Sequence, residues 1–218
     1  MIRAKPPVIT LRPEVRVLAS LLDGRRKKFS ALKIETGLSD PWLSKMLKKL
    51  TGEGLVIFNG KRYTLSGQDH WLLEVIQNPI VYSHFLIEKA IRVADDISRD
   101  PDVLAVVLFG TTVRLEASPT SDLDLLIVTK KEKKKLEYEL IDLEVKHNVP
   151  IEAMVISLNQ FKQSLKLESN LSFGLLARYA VLFDSKGKVT KLLEEKCKEI
   201  GSKYTLDRRV MLWLKKWV

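Results

Sequence analysis

Two aspartates near the middle of the chain have the spacing that most clearly indicates chemistry. Asp122 and Asp124 stand directly before an apolar run at residues 125–128. Because side chains alternate between the two faces of a strand, both carboxylates are expected on one face. Such a pair is costly unless a cation lies between its members. With no His or Cys nearby, hard oxygen ligands favour Mg²⁺ or Mn²⁺ over zinc. The alternative is a solvated acidic strand end.

The surrounding residues predict the elements that must hold these carboxylates. Residues 103–109 form a continuous apolar run, which indicates a buried strand. Gly110-Thr111-Thr112 then ends that strand and opens a short helical turn. Further along, residues 151–156 predict another strand, in which Glu152 is the one charged residue.

The segment from Gly110 to Asp124 resembles the signature of the DNA polymerase β-like nucleotidyltransferase superfamily, and most closely that of the minimal nucleotidyltransferases. That signature has a strand, a Gly-Ser or Gly-Gly turn, roughly ten residues and then Asp-hydrophobic-Asp. Thr111 stands where Ser is usual, and Leu115 where Gly is usual. The residues in step with the pattern are Gly110, Arg114, Glu116, Ala117, Pro119, Ser121, Asp122 and Asp124.

This resemblance implies a two-metal transfer of a nucleoside monophosphate from a nucleoside triphosphate to an acceptor hydroxyl. It favours AMP from ATP, and it leaves a protein, an RNA or a small molecule as the acceptor. A toxin-type protein partner is one such acceptor. For Glu152, an edge glutamate facing water is the alternative to the role that the resemblance implies. The implied catalytic and metal-binding residues are Asp122, Asp124 and Glu152, and the implied nucleotide-binding residues are Gly110, Thr111 and Arg114.

The charge is concentrated in the first third of the chain. Residues 1–66 hold 14 Lys or Arg and 5 Asp or Glu, a net charge of +9, whereas residues 67–218 hold 23 and 22, a net charge of +1. Such asymmetry indicates a polyanion bound by one domain. Three predicted helices and an Asn59-Gly60 hairpin over about residues 11–66 resemble a winged helix-turn-helix domain.

In that family the third helix enters the major groove of duplex DNA. In this chain, the pattern of residues 41–50 predicts the third helix. A protein-docking module with a solvated basic face is the alternative. The predicted DNA-binding residues are Lys45, Lys48, Lys49, Lys61 and Arg62, and Arg25, Arg26, Lys27 and Lys28 are further candidates for holding phosphates.

The remaining sequence features concern membrane spans, a signal peptide and cysteine content, and they indicate the compartment of the protein. No run approaches the roughly 18 apolar residues that a membrane span needs. The N-terminus lacks the apolar stretch of a signal peptide, and Cys197 is the only cysteine. These features predict a cytoplasmic protein with no membrane contact.

The chain is therefore expected to have an α+β fold in three parts. They are a winged helix-turn-helix at 1–66, linking helices at 67–99, and a nucleotidyltransferase domain at 100–218 with a small mixed sheet and C-terminal helices. Those helices are predicted at about 160–179, at 189–200, and from Leu206 through Val210, Trp213 and Trp217. The tryptophan stripe of the last helix is expected to pack in the core, and a partner surface is the alternative. A homodimer is left open.

Two functional classes fit these features. The first is a nucleotidyltransferase coupled to a DNA-binding module, in the manner of an antitoxin or a regulator. The second is a transcriptional regulator whose transferase-like fold binds a nucleotide or a partner without turnover. Three intact carboxylates at 122, 124 and 152 favour the enzyme, because a pure regulator does not need metal ligands.

Overall fold

The N-terminal part of the chain consists of three helices followed by a two-stranded antiparallel sheet. A computed structural model describes residues 11–67, 71–130, 134–167, 170–207 and 212–216. Pro at the first turn favours the start of the first and third helices, because proline already has a helical φ and lacks only an N–H that would be unpaired there. The elements are α1 (Pro13–Leu21), α2 (Phe29–Thr36), α3 (Asp40–Gly52), β1 (Val56–Phe58) and β2 (Tyr63–Leu65).

The hairpin formed by β1 and β2 is held by its turn and by a third segment. The Asn59 side chain accepts hydrogen bonds from the backbone N–H groups of Lys61 and Arg62, at 3.2 and 2.9 Å. On the other side, the backbones of Lys27 and Tyr63 exchange hydrogen bonds of 2.9 and 2.7 Å. The winged-helix prediction rests on this order of three helices and a hairpin, and it stays a prediction.

Two helices, α4 (Trp71–Gln77) and α5 (Pro79–Ile97), connect the hairpin to the central sheet. Asn78 caps α5 by accepting a hydrogen bond of 2.9 Å from the N–H of Ile80, as the Asn-Pro pair predicts. Most side chains of α5 are buried, so this helix is part of the core rather than a bare spacer. One continuous apolar cluster runs from Leu11 through α5 to Phe183.

The central sheet has the strand order β5-β4-β3-β6, in which β4 and β5 are parallel and the other pairs are antiparallel. Both faces of the sheet are covered by helices, which explains the continuous apolar runs in β3 and β4. One face packs on the α5 side, and the other packs on the C-terminal helices. The elements are β3 (Val103–Leu108), α6 (Gly110–Arg114), β4 (Leu123–Thr129), α7 (Lys134–His147), β5 (Ile151–Ser157), α8 (Leu158–Lys166), α9 (Asn170–Ala177), β6 (Ala180–Asp184) and α10 (Lys188–Lys203).

Two predictions for the C-terminal part are wrong. The helix expected over 160–179 is two helices, α8 and α9. The last expected helix is instead an antiparallel hairpin of β7 (Tyr204–Asp207) and β8 (Leu212–Lys215), while Val210 and Trp217 lie outside the described residues. Aromatic side chains favour strands, and the Trp213 indole donates a hydrogen bond of 3.0 Å to the carbonyl of Phe173.

None of the described helices combines the length and the apolar character that a bilayer span requires.

A buried carboxylate joins the N-terminal helices to the rest of the chain. One oxygen of Glu35 accepts hydrogen bonds from the Lys27 ammonium at 2.7 Å and the Ser20 hydroxyl at 2.6 Å. Its other oxygen accepts one from the Asn148 amide at 2.5 Å. The Lys89 ammonium lies 3.6 Å from Glu35 and donates to the Asn148 carbonyl at 2.9 Å. Helix α2 is thereby tied to α5 and to the turn between α7 and β5.

This cluster is costly to disturb because its charges are almost completely removed from water. Glu35 is 1% exposed, and burial lowers the pKa of Lys89 to about 8, against the raising effect of Glu35. Removing one member of a buried ion pair leaves its partner charged and unsolvated.

We therefore expect Glu35→Ala to lower the free energy of unfolding by about 3–5 kcal/mol. The substitution removes the carboxylate beside the buried Lys89 ammonium and one of the two carboxylates beside Lys27. Urea denaturation measures this loss of stability. Glu137→Ala, which removes an exposed carboxylate from α7, is the matched control and should change stability by less than about 0.5 kcal/mol. Equal effects of the two substitutions would contradict a structural role for the cluster.

Candidate active site

The three predicted carboxylates lie at the same edge of the central sheet. Asp122 directly precedes β4, Asp124 is the second residue of β4, and Glu152 is the second residue of β5. Because β4 and β5 are parallel, their first residues meet at one edge, and Asp124 is paired with Glu152 in register. Residues paired in this way place their side chains on the same face of the sheet.

These carboxylates converge on a single point. Ligand oxygens of Asp122, Asp124 and Glu152 all lie within 4.8 Å of one another. Asp122 and Asp124 are partly buried, whereas Glu152 is exposed, so the cluster opens to solvent. An all-oxygen, all-anionic donor set fits a hard divalent cation such as Mg²⁺ or Mn²⁺.

The electrostatics of Asp124 favour a cation at this cluster. Burial raises the pKa of Asp124, and the negative charges of Asp122 and Glu152 raise it further. A backbone hydrogen bond from Thr111 and the charge of Arg114 oppose this rise. A divalent cation would favour the ionised form and relieve the repulsion.

The turn at Gly110 brings the backbone against Asp124. Gly110 has a φ of 74°, which L side chains rarely adopt. A Cβ atom at this position would also overlap the carboxylate of Asp124. The predicted nucleotide-binding residues Gly110 and Thr111 therefore lie directly beside the carboxylate cluster, and only glycine fits the first position.

Arg114, the third predicted nucleotide-binding residue, is the last residue of α6, and its guanidinium is ion-paired with Glu116. Its Nε donates a hydrogen bond of 2.8 Å to Glu116. Arg178, from outside the sequence motif, donates to the backbone carbonyl of Arg114 at 3.4 Å and adds a second cation beside the turn. Leu115 has a φ of 66°. This left-handed conformation costs a non-glycine residue about 1–2 kcal/mol, which explains why glycine is usual there.

The predicted DNA-binding residues lie in the N-terminal part, and all of them are exposed: Lys45, Lys48, Lys49, Lys61 and Arg62. Lys49 is ion-paired with Glu14 at 3.0 Å. The expectation that Lys27 holds phosphates is wrong, because its ammonium is buried between Asp23 at 2.8 Å and Glu35 at 2.7 Å.

Residues 92–172 match the protein-family model described as Polymerase beta, Nucleotidyltransferase. The matched segment is less than half of the chain, but it contains all three carboxylates and the Gly110 turn. No curated protein matches the chain. The family match and the mixed sheet together indicate a nucleotidyltransferase fold for this part.

Solved structures with a similar fold include a toxin–antitoxin complex with AMP-PNP, at 14% identity and a TM-score of 0.36, covering 53% of this chain and 86% of that chain. A putative nucleotidyltransferase from Sulfolobus solfataricus has 16% identity and a TM-score of 0.35, covering 55% and 93%. The tri-AMPylated Shewanella oneidensis HEPN toxin in complex with MNT antitoxin has 13% identity and a TM-score of 0.32, covering 53% and 83%. Likeness at this level carries no information on substrates.

The close packing at Gly110 generates a prediction. We expect Gly110→Ala to weaken metal-dependent ATP binding by at least about tenfold, or roughly 1.4 kcal/mol, because the added methyl group displaces Asp124. Isothermal titration calorimetry measures the affinity. Gly174→Ala, in α9, is the matched control, because its Cβ meets open space. Undiminished binding in Gly110→Ala would contradict the assigned site.

Proposed function

We propose that the protein is a metal-dependent nucleotidyltransferase, which moves a nucleoside monophosphate from a nucleoside triphosphate to an acceptor hydroxyl. The observation that carries this proposal is the convergence of Asp122, Asp124 and Glu152 within 4.8 Å. The family match over residues 92–172 supports it.

In this proposal Asp122, Asp124 and Glu152 hold Mg²⁺ or Mn²⁺. Such ions, when bound, neutralise charge on phosphate oxygens and lower the pKa of an attacking hydroxyl. The fold supplies the ligand geometry, since the pairing of β4 with β5 fixes Asp124 opposite Glu152. The hydrogen bond from the Thr111 backbone orients the Asp124 carboxylate further.

The turn after β3 is the proposed phosphate-binding segment. The absence of a side chain at Gly110 allows close approach of the backbone, and the Thr111 hydroxyl adds a hydrogen-bond donor. Arg114 places a guanidinium on the same turn, where Arg178 adds a second one. The turn at Gly110 lies against Asp124, so one ligand can contact both the turn and the carboxylates.

We propose ATP as the donor and the hydroxyl of a toxin-type protein partner as the first acceptor to test. This choice rests on the resemblance to minimal nucleotidyltransferases. RNA and small-molecule acceptors are the other classes. The AMP-PNP and the tri-AMPylated toxin named above belong to those complexes only.

A second proposed function is duplex DNA binding by residues 1–66, through the winged helix. Helix α3 presents Lys45 and Lys48 to solvent, and the Lys45 ammonium lies 5.2 Å from the centre of the Trp42 ring. Among the described residues, no carboxylate lies within 4 Å of either lysine ammonium. Unpaired cations on an exposed helix fit the phosphate contacts that position a protein on DNA.

The proposed metal site predicts that ATP binding depends on Mg²⁺ or Mn²⁺. Asp122→Asn removes one ligand charge and should weaken this binding by at least about tenfold, roughly 1.4 kcal/mol. Isothermal titration with and without metal measures both effects. Asp142→Asn, which removes an exposed carboxylate from α7, is the control. Equal affinity with and without metal would count against the site.

The proposed DNA surface predicts a steep dependence of affinity on salt. Lys45→Ala with Lys48→Ala should weaken duplex binding and make the log–log salt slope less negative by about 1.8, since each phosphate contributes about 0.9. Fluorescence anisotropy measures the slope. Lys188→Ala with Lys198→Ala removes two exposed lysines from α10 as a control. Salt-independent affinity would favour the docking-module alternative.

Label transfer decides between the enzyme and the regulator without turnover. With α-³²P-labelled ATP and cell lysate, the wild-type protein is expected to label a protein or an RNA, and Asp122→Asn with Asp124→Asn is expected to label neither. Promoter repression that persists in the double variant, together with no label transfer by the wild type, would support the regulator instead.

A further inference from the structure

A basic groove crosses the boundary between the N-terminal helices and α7, away from the exposed face of α3. Its volume is about 330 Å³. Its cations come from the segment after α1 and from the hairpin, and its apolar floor includes Ile34 and the exposed Val145. We call it the basic groove, and its charged lining residues are Arg25, Arg26, Lys27, Lys28, Arg62 and Lys146.

Four of these cations have no internal counter-charge. Within the described part of the chain, no carboxylate oxygen lies within 4 Å of the side-chain nitrogens of Arg25, Arg26, Lys28 or Arg62. The lining contains no Asp or Glu either. An excess of uncompensated positive charge in a concave surface attracts a polyanion.

The segment that carries these cations is held in a fixed conformation. Lys27 forms a bridge with Tyr63 through two backbone hydrogen bonds, and its side chain is anchored on buried Glu35. Because side chains alternate along an extended segment, the inward direction of Lys27 leaves Arg26 and Lys28 pointing outward, and both are exposed. The cations are therefore presented by a rigid backbone, which reduces the entropy lost on binding.

The basic groove adjoins a larger cleft of about 500 Å³, with which it shares Arg25, Lys27, Val145 and Asn148. The far end of this cleft is lined by Ser121 and Pro150. Ser121 directly precedes Asp122, and Pro150 lies two positions before Glu152. We call the two adjoining voids the trough, which extends from the unpaired cations toward the sheet edge that carries the carboxylates. Three carboxylates also line the larger cleft: Asp23 and Glu35 are ion-paired with Lys27, and Glu144 accepts a backbone hydrogen bond from Ile151.

We propose that this trough binds a single-stranded segment of nucleic acid. Its unpaired cations match the phosphates of the strand, and the exposed side chains of Ile34 and Val145 provide apolar contact for the bases. Each void has the size of a small-molecule pocket, which admits individual nucleotides but not the width of a duplex.

The trough is not lined by Lys45 or Lys48 of α3, although it shares Arg62 with the predicted duplex-binding residues. Binding to it requires neither metal nor nucleoside triphosphate. Failure of the transferase proposal would leave this inference standing. Conversely, loss of strand binding would leave metal-dependent ATP binding unchanged.

The test is fluorescence anisotropy with the full-length protein and labelled 12-nucleotide single strands of mixed sequence, one of RNA and one of DNA, without metal or nucleotide. Arg25→Gln with Arg26→Gln and Lys28→Gln should weaken binding at least about tenfold and make the salt slope less negative by about 2, since each phosphate of a single strand contributes about 0.7. The matched control removes three exposed lysines elsewhere: Lys162→Gln with Lys166→Gln and Lys198→Gln.

Three results would overturn the inference. Equal weakening by both triple variants would show an effect of net charge alone. The other two are displacement of the strand by polyglutamate as effectively as by an unlabelled strand, and no strand binding by the wild type. Lys45→Ala with Lys48→Ala should leave strand binding within about threefold, roughly 0.65 kcal/mol. A larger loss would place the strand on α3 instead. The comparison of RNA with DNA identifies which strand is preferred.

Discussion

The repulsion between three carboxylates at one sheet edge is the constraint around which the central part of the chain is built. Parallel pairing of β4 with β5 fixes Asp124 opposite Glu152, and both faces of the sheet are buried, so neither strand can move away. Burial raises the pKa of Asp124, and the charges of Asp122 and Glu152 raise it further. Gly110 adds to the crowding, since any side chain at this position would collide with the carboxylate. A fold that holds like charges together in this way favours binding of a cation.

The Glu35 cluster has a comparable role for the N-terminal helices. It joins α2 to α5 and to the turn before β5, which carries Glu152. The same cluster fixes Lys27 and so presents the neighbouring cations of the basic groove. The continuous apolar core from Leu11 to Phe183 also joins the two parts, because the N-terminal helices pack directly on the transferase-like sheet. A ligand in the trough would contact both parts.

Local patterns in the sequence predicted the elements that hold the carboxylates. The alternation at Asp122-Leu123-Asp124 follows from strand geometry, whereas the prediction for Glu152 rests on the family resemblance. The structure brings all three groups together. Features created by tertiary contacts left no such pattern. Lys27 belongs to a run of four basic residues, and its burial against Glu35 depends on a contact between α2 and the preceding segment. Arg178 approaches Arg114 across 64 positions. The terminal hairpin was missed because Leu206 and Trp213 also fit helical spacing.

The central claim is that the cluster of Asp122, Asp124 and Glu152 binds a divalent metal. Its most direct test is anomalous diffraction from crystals soaked with Mn²⁺ and a non-hydrolysable ATP analogue, measured above and below the manganese absorption edge. The account predicts an anomalous peak in contact with all three carboxylates, with the analogue's phosphates beside Gly110. No peak at the cluster, or a peak from which Glu152 is turned away, would contradict it.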